Sequence, residues 1–134
     1  MITTGQPTQI TLFSETDKKG NILFANDAFC KTSMYTRDEL IGKPHSIIRH
    51  PDMPRILFEV LWSTIGNGKV FRGIIKNRAK DGSHYWVQCI ITPLPDYREQ
   101  VLKYGAVRHL INNEEFARQQ FEAQMADIVK PGLR

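Results

Sequence analysis

Five stretches of the chain have hydrophobic patterns typical of β-strands, from the β-branched and aromatic residues of 10–14 to the alternation with a period of two at 70–79. The predicted strands are residues 10–14, 21–25, 70–79, 85–92 and 102–110. The turn TDKKG at 16–20 joins the first two strands, and KDGS at 80–83, an Asp-Gly turn, joins the next two. The prolines of PLPD at 93–96 are expected to end the fourth strand.

Between the two hairpins, the apolar period becomes helical. Asn26 or Asp27 is predicted to cap a first helix. Thr36 and Glu39 have the spacing of a capping box, which starts a second, short helix that Gly42 ends.

Pro54 is expected at the first position of a longer amphipathic helix that ends at GNG, residues 66–68. A C-terminal helix is predicted at 113–129. Long antiparallel strands with helices grouped between the hairpins predict an α+β fold, in which the helices cover one face of the sheet.

The third strand divides its residues between two faces. Phe71, Gly73, Ile75 and Asn77 are predicted to face inward, and Arg72, Ile74, Lys76 and Arg78 to face solvent. A strand glycine indicates a close approach by another group. A buried Asn77 needs a partner, which is either its own backbone or a planar ligand.

In the last strand, either Arg108 or His109 points inward. A buried arginine needs an anionic or carbonyl partner, and a salt bridge at the sheet edge would serve as well as a ligand.

The loop KPHSIIRHPDMP at 43–54 combines prolines with the polar side chains of Arg49, His50 and Asp52. Such a loop is typical of a site held on a rigid scaffold, and equally of a solvated surface loop. It is expected to contain one short helical turn.

The length of 134 residues fits one domain. The net charge of +4 is small and the basic residues are scattered, which argues against nucleic-acid binding. Cys30 and Cys89 are far apart and predict buried free thiols in a reducing compartment. Neither a signal peptide nor a membrane-spanning stretch is recognisable, so a cytoplasmic location is expected, with membership of a membrane-anchored receptor left open. No nucleophile stands in a pattern with a base, so the sequence predicts no enzyme.

Two stretches resemble a known family. ANDAFCKTSMYTRDELIGKPHSIIRHPDMP and GIIKNRAKDGSHYWV are similar to the N-terminal PAS domain of bacterial aerotaxis receptors, across residues 10–112. The resemblance implies a PAS fold, with a five-stranded antiparallel sheet and a cavity beneath its helices. Residues 1–9 would then be an N-terminal arm, and 113–134 a helix and linker to a signalling region.

The same resemblance implies non-covalent FAD and signalling of redox or oxygen state. The positions that match the family's binding motifs are Asn26, Arg49, His50, Asp52 and Asn77, with Arg108 near the reactive edge of the flavin. Arg49 and His50 would meet phosphate or ribose, and Asp52 would orient them. Phe71 stands where those receptors have tryptophan, which keeps an aromatic face but loses the indole N–H donor.

One kind of flavin chemistry is not expected, and two alternatives to a flavin site remain open at the level of sequence. Blue-light photoreceptors of this fold carry a GRNCRFLQ segment that this chain lacks, so a cysteinyl–flavin adduct is not expected. A haem sensor could use His45, His50 or His109 as its axial ligand. A ligand-free module could act by homodimerisation, or by docking to another domain of a chemoreceptor.

Overall fold

The computed structural model describes residues 10–95, 98 and 100–130. The N-terminal arm predicted for residues 1–9 lies outside the described residues, as do residues 131–134.

A single five-stranded sheet forms the scaffold, in the spatial order β2-β1-β5-β4-β3. Its strands are β1 (Thr11–Asp17), β2 (Ile22–Ala25), β3 (Phe71–Arg78), β4 (His84–Pro95) and β5 (Val101–Ile111). Every neighbouring pair is antiparallel. The predicted α+β fold with a five-stranded antiparallel sheet is therefore confirmed.

The helices lie where the change of period places them. They are α1 (Asp27–Ser33), α2 (Arg37–Leu40), a 3-10 helix (His45–Ile48), α3 (Arg55–Gly66) and α4 (Glu114–Val129). Asn26 caps α1, and Thr36 and Glu39 form the predicted capping box of α2. Pro54 is the N-cap of α3, so the helix begins at Arg55, one residue later than predicted.

The expected break at Pro93 and Pro95 is wrong, because β4 continues through Pro95. The pairing of β3 with β4 ends where Phe71 meets Ile91, so this end of β4 has only β5 beside it. Proline is tolerated there because an edge strand does not need every N–H for the ladder.

The core lies between the inner face of the sheet and helices α1 to α3. Leu12, Phe29, Leu40, Leu57 and Val87 are fully buried there. Burying each such side chain contributes roughly 1.5–3 kcal/mol, so this layer fixes the helices against the sheet.

Helix α4 covers part of the opposite face, which the sequence assigned to solvent. The side chain of Gln124 accepts a hydrogen bond from the Ile74 N–H at 2.6 Å and donates one to the Ile74 carbonyl at 2.9 Å. Phe121 packs against Trp86 with ring centroids 5.5 Å apart. Gln124 thus satisfies backbone groups of the edge strand β3, and Ile74 is only partly exposed.

Candidate functional site

A cavity of about 190 Å³ lies between the inner face of the sheet and the segment that contains the 3-10 helix and α3. Its walls are largely apolar and include Ile48, Phe58, Leu61, Ile65, Ile75 and Val87. A mainly apolar cavity with a few polar groups is the usual form of a small-molecule site.

Among the polar side chains that line this cavity from the strands, Asn77 and Arg108 are the most buried. Asn77 is 5% exposed and Arg108 is 2% exposed, and both belong to its lining. Each takes its place from the period of two, because Ile75 and Ala106, two residues earlier, line the same cavity. The inward direction of Asn77 is confirmed, and of the two candidates in the last strand it is Arg108 that points inward.

Arg108 is held by neutral partners. Its Nη2 donates to Ser14 Oγ at 3.0 Å and to His45 Nε2 at 2.5 Å, and its guanidinium carbon lies 5.0 Å from the centre of the Phe29 ring. Its Nη1 has no hydrogen-bond partner within the described part of the chain. The salt bridge considered for Arg108 is not found among the described residues, and a buried donor is left for another acceptor.

His45 faces Arg108 as a neutral imidazole. Burial of the ring, with the nearby Arg108 charge as second cause, lowers the pKa of His45 to about 3. The residue is half-buried, because it borders the open cavity beside Arg108. Because an arginine only donates, Nε2 must accept, and the proton is assigned to Nδ1.

Asn77 is tied to the loop that carries the predicted site. A β-bridge joins it to Arg49, just after the 3-10 helix. Opposite Asn77 in β4 lies Tyr85, whose pKa burial raises to about 12. The nearby Asn77 side chain acts in the opposite direction and lowers the pKa of Tyr85. The Tyr85 hydroxyl nevertheless has no hydrogen-bond partner of good geometry among the described residues.

The mouth of the cavity is aromatic and basic. Trp62 is 42% exposed and meets Tyr104 edge to face at 6.0 Å. Gly20 has a φ of +91°, and a Cβ there would lie 3.1 Å from the Trp62 ring, so the backbone of this turn closes against the indole. Lys19 lies beside it, and the Arg49 guanidinium sits 3.7 Å above the Phe58 ring.

The charges around the cavity have one sign. Lys19, Arg49 and Arg108 belong to its lining, and no Asp or Glu does among the residues that the structure describes. Basic groups at the mouth and on the floor, with apolar walls between them, suit a planar ligand that carries hydrogen-bond acceptors and negative charge.

The other predicted site residues lie outside this lining. Asn26 is engaged in the fold, since its Oδ1 accepts from the N–H groups of Phe13 and Phe29. Phe71 lies in a groove against α4, which it shares with Gln124. A Cβ on Gly73 would be 2.7 Å from the Phe71 ring and 2.9 Å from Gln124 Oε1, which is the close approach that the strand glycine predicted.

His50 and Asp52 form a cluster on the outside of the site loop. Asp52 accepts from Lys76 Nζ at 3.0 Å, and this hydrogen bond is the main reason why the pKa of Asp52 is lowered. His50 Nδ1 lies 3.7 Å from the Asp52 carboxylate, but burial and then the Lys76 charge lower its pKa. The ring of His84 lies 6.2 Å away and connects this cluster to Glu114 at the start of α4.

Sequence reasoning gave His45, Trp62 and Phe58 no part in a flavin site. Their contribution depends on how the 3-10 helix and α3 lie over the sheet, so no local motif marks them. The sequence held one signal for Trp62, which lies off the apolar helical spacing of Leu57, Leu61 and Ile65 and so is a large aromatic residue outside the core-facing stripe.

Of the histidines considered as haem ligands, His45 alone lines the cavity within the described residues. His109 contacts Thr11 at 3.3 Å on the other side of β5. No cluster of three or more potential metal ligands occurs among the residues that were described. In the same residues, no helix is long and apolar enough to cross a membrane.

The comparisons with known proteins agree with this architecture. The family model described as PAS fold matches residues 22–108. The aerotaxis receptor of Escherichia coli K12 is 44% identical over 108 residues, which is 80% of this chain and 21% of the receptor. The nitrogen fixation regulatory protein of Klebsiella pneumoniae is 30% identical over 74% of this chain and 20% of its own length.

Among solved structures, a light-oxygen-voltage domain whose mechanism was studied with a flavin analogue superposes with a TM-score of 0.78. It is 22% identical, and the match covers 86% of this chain and 87% of that one. The chain spans about a fifth of the length of the two curated relatives. These matches confirm the resemblance that the sequence motifs indicated.

Proposed function

The chain belongs to the PAS fold family of sensory modules, and we propose that it binds FAD non-covalently and reports redox or oxygen state in aerotaxis. The observation that carries the proposal is a largely apolar cavity whose floor presents the Asn77 amide and an Arg108 guanidinium with one nitrogen that has no partner among the described residues. Its relatives support the proposal, since one is an aerotaxis receptor and a solved neighbour concerns a flavin analogue.

The residues present fit a flavin. The Asn77 amide and Arg108 Nη1 are buried hydrogen-bonding groups, and a flavin ring offers carbonyl and ring-nitrogen acceptors in one plane. A volume of about 190 Å³ is small for a site of this kind, so the cavity would take the ring system and leave the rest of FAD at the mouth. Lys19 and Arg49 belong to the cavity lining, and in this proposal they would pair with the diphosphate.

FAD supplies a reversible redox couple whose oxidised and reduced forms differ in protonation and charge. The protein detects the difference through groups that interact unequally with the two forms. Arg108 can only donate hydrogen bonds, whereas the Asn77 amide can turn to donate or accept. A ligand shifts a conformational equilibrium only by such a difference in interaction.

A continuous set of contacts leads from the cavity to α4. The β-bridge between Arg49 and Asn77 joins the site loop to β3, and Gln124 joins β3 to α4. A change in the hydrogen bonds of Asn77 would therefore move the edge strand on which α4 rests. We propose that residues 113–134 pass this change to a signalling region, while residues 10–112 form the sensor.

Other parts of the proposal concern the protein's surroundings. The module would work in the cytoplasm as a homodimer or docked to another domain of a chemoreceptor. Its role would be that of a sensor rather than an enzyme, so catalytic turnover of a substrate would contradict it.

The proposal is tested by titrating FAD and FMN into ligand-depleted protein and following the quenching of flavin fluorescence. We expect FAD to bind more tightly than FMN, because only FAD can use the whole mouth. Asn77→Ala should weaken FAD binding roughly tenfold, since a lost buried hydrogen bond costs about 1–3 kcal/mol. The matched control is Asn112→Ala on the exposed connection before α4. Equal affinities of both variants would refute the role of Asn77.

A further inference from the structure

We propose that Ser14 and His45 hold Arg108 in the cavity as a positive charge without a counter-ion, and that this charge selects the anionic reduced form of bound FAD. The inference rests on the proposed function and goes further, because it assigns the charge of the favoured ligand state and two positioning residues. It follows from the contacts of Arg108 and the charges that surround the cavity.

Arg108 is the most buried charged residue described, with 2% of its surface exposed. Its side chain hydrogen-bonds to a hydroxyl and to an imidazole, neither of which carries negative charge. A buried cation is strongly unfavourable unless a charge partner compensates it. Since no carboxylate lines the cavity in the described ranges, the compensating charge has to come from the ligand.

The other titratable groups that face Arg108 leave its charge in place. Cys89, directly opposite on β4, is kept neutral because burial raises the pKa of its thiol. Tyr85 is neutral for the same reason. Across the cavity, Lys19 and Arg49 add further positive charge. Tyr104 is the other titratable side chain of the lining. The net charge of the lining at neutral pH is therefore positive.

His45 acts on the ligand through Arg108. Its Nε2 accepts the shortest hydrogen bond of the guanidinium, at 2.5 Å, and lies 3.3 Å from Ser14 Oγ. A protonated imidazole could not accept this bond and would repel Arg108. The neutral ring therefore holds Nη2 and leaves Nη1, the unpartnered nitrogen, for the ligand.

The charge of Arg108 determines how many protons accompany reduction. Oxidised FAD takes up two electrons from a reductant, together with either two protons, which gives a neutral ring, or one proton, which gives an anion. Solvent supplies the protons and a low-potential donor such as dithionite supplies the electrons. A neighbouring cation stabilises the anion, so the one-proton reaction is favoured.

The experiment is a reductive titration of the FAD-loaded protein with mediator dyes at several pH values. A tenfold change in the equilibrium constant of a two-electron couple equals about 29.6 mV. The wild type should therefore show a midpoint potential that falls by about 29.6 mV per pH unit around neutrality, and Arg108→Gln a slope approaching twice that. At neutral pH, the midpoint potential of Arg108→Gln should also lie at least about 29.6 mV below that of the wild type, which corresponds to a tenfold loss in the equilibrium constant for reduction.

Four further variants separate charge from structure. Arg108→Lys keeps the charge and should keep the shallow slope. Arg72→Gln removes an exposed arginine on the other face of β3 and should behave as wild type. His45→Gln offers an amide oxygen to Arg108 and should preserve the potential, whereas His45→Ala should shift it towards that of Arg108→Gln.

The outcomes distinguish this inference from the proposed function. A wild type that binds no FAD overturns the proposed function. A wild type that binds FAD but takes up two protons with its two electrons overturns the role of Arg108, even if Arg108→Gln does not fold. An unchanged potential in a folded, FAD-loaded Arg108→Gln protein overturns it as well.

Discussion

The neutral state of His45 makes stability depend on pH in a range where carboxylates do not titrate. In the folded protein its pKa is lowered from 6.5 to about 3. Between pH 6.5 and about 3, His45 therefore binds a proton in the unfolded chain but stays unprotonated in the folded protein. Stability then falls as the pH falls, by about 1.4 kcal/mol per pH unit at most. Replacing His45 by Gln should remove this dependence.

The size of the effect follows from the same values. Between about pH 7 and 5, a pKa of about 3 corresponds to a loss of at most about 2 kcal/mol. Water reaches His45 through the open cavity, so we expect a loss of about 1–2 kcal/mol. Carboxylates with a lowered pKa, such as Asp52 and Glu114, act below this range, because their stabilising effect is lost only as the pH falls through their folded pKa.

Urea unfolding, followed by circular dichroism at about pH 7 and pH 5, measures the effect directly. Wild type and His45→Gln are compared at the same FAD occupancy, and His50 contributes equally to both. His109→Gln is the control, because it removes a histidine on the other side of β5 from the cavity. Equal losses of stability in wild type and His45→Gln would refute the assignment of His45 as a neutral partner of Arg108.

Three predictions concern helix α4 and its attachment. Gln124→Ala removes both hydrogen bonds to the Ile74 backbone and should lower the free energy of unfolding by about 2 kcal/mol, measured by urea unfolding. Gly73→Ala should lower it by about 1–3 kcal/mol in the same assay, because its Cβ would collide with a ring and with Gln124 Oε1. The pKa of Glu114 is lowered mainly by its hydrogen bond with His84. Glu114→Gln should therefore weaken protection of α4 amides from hydrogen exchange above its unfolded pKa of about 4.5, and the difference from wild type should vanish in acid.

Gln120→Ala, on the exposed side of α4, is the matched control for Gln124→Ala. Equal stabilities of these two variants would show that the contacts with Ile74 do not hold the helix. A Gly73→Ala protein as stable as wild type would mean that Phe71 and Gln124 move aside without cost. Unchanged exchange in Glu114→Gln at neutral pH would remove His84 from the anchoring of α4.

Local signals were sufficient for most of the fold. Thr36 and Glu39 mark a helix start by their spacing alone, and the period of two assigned Asn77 to the inner face of the sheet. Pro93 and Pro95 were misleading, because whether proline ends a strand depends on whether a neighbour needs its N–H. That neighbour is set by where β3 ends, which is a property of the whole sheet.

The candidate site was only partly predictable for a related reason. Arg49, Asn77 and Arg108 line the cavity. His50 and Asp52, from the same loop motif as Arg49, lie outside its lining, and so does Phe71. A loop motif shows which polar residues are present but not which way each side chain turns. The pairing of Arg108 with His45 joins residues that are 63 positions apart, and its consequence for charge appears only when the strands and the 3-10 helix are assembled.

The most direct test of the central claim is the absorption spectrum of freshly purified protein, with chromatography of the ligand released by heat. We expect the two visible and near-ultraviolet bands of a flavin, with FAD rather than FMN in the supernatant. A sharp Soret band would assign the cavity to haem and His45. A spectrum without bands, unchanged after incubation with FAD, would contradict the account and leave a module that acts through protein contacts.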